Sequence, residues 1–321
     1  MKDLERIRKP ISAEIKEFEK HFRSSIRSNI RILDIITRYI LRRKGKQIRP
    51  TFVLLTSSML GEIKESTYTA ATLIELLHTA SLVHDDVVDE SYERRGFFSL
   101  NALWKSKIAV LVGDFLLAKG LLVSVERKEY DMLELVSEAV KDMSEGELLQ
   151  LRKSRKLDIT MDEYFEVIRK KTAALIAACT ATGARAVVTD KEVITKMKEF
   201  GLNVGIAFQI KDDLFDYQQS GGIGKPTGND IQEKKMTLPL IYALSNAPGS
   251  EKNRIRRIIR RKKKDLNEIY RFIEKYGGFE YAEKRMMEYR DAAIDILDTC
   301  PANSSRDALK ELVNFTVMRK K

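Results

Sequence analysis

Apolar residues recur at three- and four-residue spacing through nearly the whole chain, and this regularity removes most folds from consideration. Residues 12–42 alternate charged and apolar groups at that spacing. Arg49-Pro50 opens another helix, with proline in the first turn, where a missing N–H costs little. From about Ser66 to Glu90 the helix is apolar on almost every side. Ala70, Ala71, Leu73, Ile74, Leu76, Leu77, Ala80, Leu82, Val83, Val87 and Val88 leave it no polar face, so it belongs at the centre of a core. Helices are predicted again over 99–125, 130–152, 161–184 and 191–218. Ser220-Gly221-Gly222-Ile223-Gly224-Lys225-Pro226 breaks the pattern as a loop. Helices resume near Lys234, with further pieces at 250–264, 265–276, 279–298 and 303–319. No period-two run bounded by turn signals occurs, so the expected class is all-α, a bundle of helices without a sheet. No fixed-length repeat is visible.

The 321 residues suit one large core or two modest ones. Glycine and proline are sparse and no stretch reads as a linker, so one helical domain over 1–321 is expected. A net charge of +11 asks for an anionic partner: nucleic acid, an acidic membrane surface or a phosphorylated substrate. Cys179 and Cys300 stand in no metal-ligand or redox spacing, so they read as packed thiols of a reducing compartment. The N-terminus lacks the apolar core of a signal peptide. No uninterrupted apolar run reaches the roughly 18 residues that span a bilayer. A soluble, cytoplasmic protein is expected.

The central helix ends in His84-Asp85-Asp86-Val87-Val88-Asp89-Glu90. Like charges one turn apart repel, and aspartate is a poor helix former. Asp85 and Asp89 nevertheless share one face, about 6 Å apart along the axis. Carboxylates at the end of a buried helix need a counter-charge or they neutralise. Asp212-Asp213-Leu214-Phe215-Asp216 repeats the arrangement after another apolar helix. Hard oxygen pairs of this kind suit magnesium, which takes one or two carboxylates together with substrate phosphates. Two such faces pointing at one another would make an acidic cleft. One motif alone reads equally well as a solvated helix end; two copies, each closing a buried helix, favour a site.

The basic residues say what such a cleft would bind. Lys46 and Arg49 surround a helix start, where free N–H groups and the dipole favour anions. Arg94-Arg95-Gly96 follows the first acidic motif by five residues. Lys170-Lys171-Thr172 interrupts an apolar helix, and Lys225 and Lys235 flank the loop after the second motif. Cations beside paired carboxylates are expected where metal-bridged diphosphates dock. His78 stands two turns before Asp85 on the same stripe, which favours a ligand over a packed core histidine.

Taken in order, these residues resemble the trans-isoprenyl diphosphate synthases, or polyprenyl synthetases. The match runs from Gly45 to Pro239 through Gly45-Lys46-Gln47-Ile48-Arg49-Pro50, His78, Asp85–Asp89, Arg94-Arg95-Gly96, Gly113-Asp114 and Gly146-Glu147 with Gln150. It continues through Lys171-Thr172, Phe208-Gln209, Asp212–Asp216, Gly224-Lys225-Pro226 and Lys235–Pro239. The resemblance is nearest to members with medium and long products. It implies an all-α isoprenoid synthase bundle of antiparallel helices around a central cavity, usually a homodimer. It implies condensation of isopentenyl diphosphate with an allylic diphosphate, farnesyl or geranylgeranyl, for quinone side chains. It assigns Lys46, Arg49, His78 and Arg95 to isopentenyl diphosphate. Arg94, Lys171, Thr172, Gln209, Lys225 and Lys235 would hold the allylic diphosphate. Asp85, Asp89, Asp212 and Asp216 would bind a cluster of Mg2+ ions, with Asp86 and Asp213 close by, and catalysis would rest on these aspartates with Lys171 and Gln209. Lys44 and Gln47 depart from the family's Gly and Arg, which should alter the loop more than the binding.

The resemblance also implies that a Phe or Tyr four or five places before the first aspartate floors the cavity. Ala80 and Ser81 stand there, with Leu77 one turn earlier, so a long product of roughly six to eight isoprene units is expected. The rival is a short-chain synthase making farnesyl or geranylgeranyl diphosphate. A terpene cyclase would mix Asn, Ser or Thr with Glu in its second motif. A non-catalytic partner subunit fits poorly with intact acidic motifs. A nucleic-acid-binding protein would explain the charge and the basic run 254–264, but not two acidic motifs closing buried helices. That run reads first as a solvated face, and second as a contact with an anionic membrane where a lipophilic product must leave.

Overall fold

The computed structural model describes residues 2–42, 45–94, 96–154, 157–217, 229–232, 235–261 and 265–318. In chain order the helices are α1 Lys2–Ile7, α2 Ser12–Ser25, α3 Arg31–Arg42, α4 Ile48–Leu60, α5 Glu65–Val88, α6 Leu100–Glu126, α7 Tyr130–Ser154 and α8 Met161–Ile168. They continue with α9 Ala174–Arg185, α10 Lys191–Asp216, α11 Asn229–Gln232, α12 Leu238–Asn246, α13 Gly249–Arg260, α14 Leu266–Lys275, α15 Gly278–Asp298 and α16 Ser304–Met318. The class is all-α. The one strand pairing among the described residues is a two-residue hairpin, β1 Glu93–Arg94 against β2 Phe97–Phe98, which closes a turn and forms no layer.

Three of the expected helices are interrupted, the stretch 99–125 by a kink at Lys105, whose φ of 66° and ψ of 161° are not helical. The stretch 12–42 divides into α2 and α3 around Ser28 and Asn29, residues that compete with the helix for backbone hydrogen bonds. The stretch 161–184 divides at a π-helical turn, Arg169–Ala173, between α8 and α9. Elsewhere the expected and observed boundaries agree to within a few residues, and local chemistry sets them. Thr160 and Glu163 form a reciprocal capping box at the start of α8. Asp265 accepts from the Glu268 N–H at the start of α14.

The described chain separates into two compact units, residues 1–138 with 178–198 and 300–309, and residues 139–177 with 199–299 and 310–321. All but one of the unit boundaries fall inside helices; the exception, 299/300, lies in the short connection between α15 and α16. In the first unit α5 is the core helix, packed against α2, α4 and α6. Leu73, Ile74 and Leu76 are fully buried on it, as are Phe52, Leu54 and Leu55 on α4. The second unit is built on α8, α10, α12, α14 and α15, whose core includes Ile210, Leu238, Ile269, Phe272 and Met286. Apolar burial of this extent is worth about 25 cal/mol per Å², and it carries helices whose own propensity is modest.

Cys179 is buried, and burial pushes its thiol up to about 12; Cys300 is half-buried. Both are free thiols, as expected. One helix departs from expectation. By length and composition α6 is apolar enough to cross a membrane, with mean hydropathy 2.1 over 18 residues, of which a third are buried. Asp114 and Lys119 interrupt the run, which is why a search for unbroken apolar stretches passes over it. Leu103, Val110, Leu111, Leu121, Leu122 and Val125 are exposed along it. Val110, Leu111, Leu121, Leu122 and Val125, all beyond the kink at Lys105, fall on one helix face by their spacing.

Candidate active site

The first acidic motif closes α5. The Asp89 N–H donates to the Asp85 carbonyl at 2.8 Å, so helical geometry persists one residue past Val88. That register holds Asp85 and Asp89 together on an exposed face, while Asp86 between them is buried. The second motif closes α10 in the same way. Asp212 and Asp216 are half-exposed and Asp213 is buried. Each motif therefore offers an outer pair and turns its middle carboxyl inward. Both pairs sit at a helix C-terminus, the negative end of the dipole, where carboxylates are disfavoured. In each unit, a pair of acids in an unfavourable position marks a place suited to cations from elsewhere.

His78 is half-buried on α5, and its carbonyl accepts from the Ser81 hydroxyl at 2.9 Å. Leu77 and Ala80 are buried on the same helix and Ser81 is half-buried, so the positions before Asp85 carry no aromatic plug. Lys46 is exposed and Arg49 half-exposed at the start of α4. Gln47, between them, takes a left-handed conformation at φ 46°, which non-glycine residues rarely adopt. The turn is held by Arg8, from far upstream. Its guanidinium donates to the carbonyls of Lys46 and Gln47, the latter at 2.9 Å, and to the Thr51 hydroxyl at 2.8 Å. Arg8 went unread in the sequence, because a single arginine in a charged amphipathic segment carries no pattern. Arg94 lies in the β1 backbone, its side chain undescribed; Arg95 and Lys225 fall outside the described residues.

In the second unit a small cavity is lined by Gln150, Tyr164, Lys171, Thr172, Gln209, Asp213 and Lys235 among others. The π turn brings Lys171 and Thr172 to it. A π turn widens the helix by one residue and is found mostly at functional sites. Two glycines make room for it. A Cβ on Gly146 of α7 would meet the Lys171 nitrogen at 2.6 Å, and one on Gly205 of α10 would meet the Ala173 Cα at 2.4 Å. Lys171 Nζ pairs with Glu147 at 2.5 Å.

Beneath the cavity Asp213 collects donors. Tyr164 Oη reaches Oδ2 at 2.7 Å and Gln209 Nε2 reaches Oδ1 at 3.0 Å. The Leu238 N–H, at the start of α12, reaches Oδ2 at 3.3 Å, and Lys235 Nζ lies 3.9 Å from Oδ1. Burial raises the Asp213 carboxyl above its ordinary range, against the pull of Lys235 and the hydrogen bonds from Tyr164 and Gln209. Burial works to lower Lys235, but Asp213 and Asp230 outweigh it and raise the ammonium. Asp213 is thus a buried acceptor with its oxygens engaged, and the outward carboxylates are those of Asp212 and Asp216. The Asp216 carboxylate accepts from the Asp230 N–H at 3.1 Å, and Asp230 in turn pairs with Lys235 at 3.1 Å. Tyr164 was also missed in the sequence; an aromatic at helical spacing reads as core.

The sequence profile of the Polyprenyl synthetase family matches residues 30–276. The chain belongs to the polyprenyl synthetase family. An octaprenyl diphosphate synthase of Escherichia coli is 34% identical over 321 residues, spanning 99% of each chain. A short chain isoprenyl diphosphate synthase of Methanothermobacter thermautotrophicus is also 34% identical, over 88% of each. The crystal structure of a polyprenyl synthase from Caulobacter crescentus, complexed with calcium and isoprenyl diphosphate, superposes with a TM-score of 0.88 at 32% identity, covering 99% of this chain and 98% of that one.

Proposed function

We infer that this chain is a trans-prenyltransferase that joins isopentenyl diphosphate to an allylic diphosphate, giving an all-trans-polyprenyl diphosphate for a quinone side chain. The observation that carries this reading is the outward pair of aspartates at each of two helix C-termini, where the helix dipole disfavours negative charge. Among the described residues no group of three or more His, Cys, Asp or Glu side chains surrounds one point. Paired hard oxygens without a closed cage fit magnesium, which completes its shell with water and substrate phosphate. Asp85 with Asp89, and Asp212 with Asp216, would each hold such an ion. When bound, it offsets the negative charge that grows on the departing diphosphate.

The chain's own residues do the rest. Lys46, Arg49, His78 and Arg95 bind and orient isopentenyl diphosphate, so that its double bond attacks as a pre-positioned neighbour. Arg94, Lys171, Lys225 and Lys235 hold the allylic diphosphate, with Thr172 and Gln209 beside them. The Thr172 oxygen and the Gln209 amide present fixed dipoles to the developing allylic cation, which water would have to reorganise to match. Asp213 is engaged by its donors, and the released diphosphate is the acceptor in this reading for the proton lost in the last step.

Small residues at Ala80 and Ser81 support a long product, roughly six to eight isoprene units along the helix. The exposed apolar face of α6 supports a homodimer, since a single-sided stripe of this kind calls for a partner. On α13, Ile255, Ile258 and Ile259 are spent in the core, while Arg254, Arg257 and Arg260 face solvent. That basic face supports a peripheral contact with an anionic membrane for release of the product, in a protein otherwise of the cytoplasm.

The test is incubation of pure protein with farnesyl diphosphate, labelled isopentenyl diphosphate and magnesium, followed by sizing of the product. Six to eight units are expected. Products that stop at three or four units favour the short-chain reading, and no incorporation of label overturns the assignment.

A further inference from the structure

We propose that Tyr164 is a positioning residue for the condensation: through Asp213 and Gln209 it fixes the direction in which the Thr172 hydroxyl donates. The inference rests on the reading of Thr172 and Gln209 as substrate-facing groups. Its basis is the polarity of a hydrogen-bond chain. A carboxylate only accepts, so Gln209 must turn its Nε2 toward Asp213 Oδ1, at 3.0 Å. The amide oxygen of Gln209 then faces Thr172, and the Thr172 hydroxyl must donate to it, at 2.8 Å. With its hydrogen committed, Thr172 keeps its oxygen lone pairs for the cavity that it lines. An acceptor aimed there suits a cationic substrate carbon; a donor would oppose it.

Everything upstream depends on the Asp213 carboxylate keeping its rotamer. Tyr164 is the neutral side chain that holds Oδ2, at 2.7 Å, the shortest of the contacts described for that carboxylate. Tyr164 is itself buried at the start of α8, so its hydroxyl points at Asp213 from a fixed ring. Loss of that hydroxyl leaves Oδ2 with the longer Leu238 N–H bond at 3.3 Å. The carboxylate can then rotate, the Gln209 amide can flip, and Thr172 is free to present its hydrogen to the cavity.

The experiment combines kinetics with a probe of the amide. Tyr164→Phe should lower kcat about tenfold to a hundredfold, the range seen when reacting groups are slightly misdirected, with both KM values within about twofold. In the Asp213→Asn background the same change should cost less than about twofold, because the chain it serves is already cut. Losses that multiply across the two backgrounds, or a Tyr164→Phe enzyme with normal kcat and a lowered Tm, would overturn the proposal. The side-chain amide of Gln209, followed by NMR in glutamine-labelled protein and assigned with Gln209→Ala, should be exchange-protected in the parent chain and lose that protection in Tyr164→Phe. An amide unchanged by Tyr164→Phe also overturns it. If the parent chain does not condense the two diphosphates but the amide still responds, the proposed function fails and the relay stands.

Discussion

Single residues decide whether the two binding turns keep their shape. Arg8 is the clearest case. Three donations from one guanidinium hold a left-handed turn that carries Lys46 and leads into Arg49. Arg8→Ala should raise the KM for isopentenyl diphosphate about tenfold, the equivalent of one charged hydrogen bond, with kcat changed far less. Steady-state kinetics with the two substrates varied separately will check this; an unaltered KM would mean that the turn holds itself. The aspartates belong to the same scale. Asp85→Ala should reduce turnover by about two to three orders of magnitude while leaving the circular dichroism spectrum unchanged. Its side chain is exposed, so the fold loses little with it. Neither Arg8 nor Tyr164 could be read in advance, because a sequence shows the residue type and not its donor geometry. Asp85 and Asp212 stand out in the sequence because their chemistry conflicts with their position, and that conflict is visible in one dimension.

At the scale of elements, the long apolar helices were plain from periodicity, and the π turn was not. Residues 169–173 have unexceptional helix formers, and the widening comes from neighbours that approach closely on both sides. Gly205→Ala places a methyl against the backbone at Ala173, and overpacking of this kind costs about 1–3 kcal/mol. A lowered Tm together with a lowered kcat is expected in melting and turnover measurements, since the same backbone carries Thr172. α5 invites a separate test. Ala80 is buried where a larger ring would intrude on the space before Asp85. Ala80→Phe should shorten the main product by several isoprene units, and chromatography of the dephosphorylated products would reveal it; an unchanged spectrum would place the floor elsewhere.

For the whole molecule, the two compact units leave no trace in composition, because all but one of their boundaries fall within helices. The apolar face of α6 also escaped the search for unbroken runs, since Asp114 and Lys119 punctuate it. It has a measurable consequence. Light scattering should give twice the chain mass of 36.9 kDa, and Leu111→Glu with Leu122→Glu should halve it. A doubled mass that survives both changes would locate the partner surface on another element.

The five residues between α8 and α9 hold one residue more than an ordinary turn would, while α8 and α9 wind normally on either side. Thr172 stands inside this turn, and Tyr164 on the helix before it, both addressing one carboxylate network. Deleting a residue here would let α winding resume and leave the flanking helices in nearly their present phase, so only the side chains of the turn itself would be redirected. A chain shortened in this way should melt close to the parent yet turn over far more slowly.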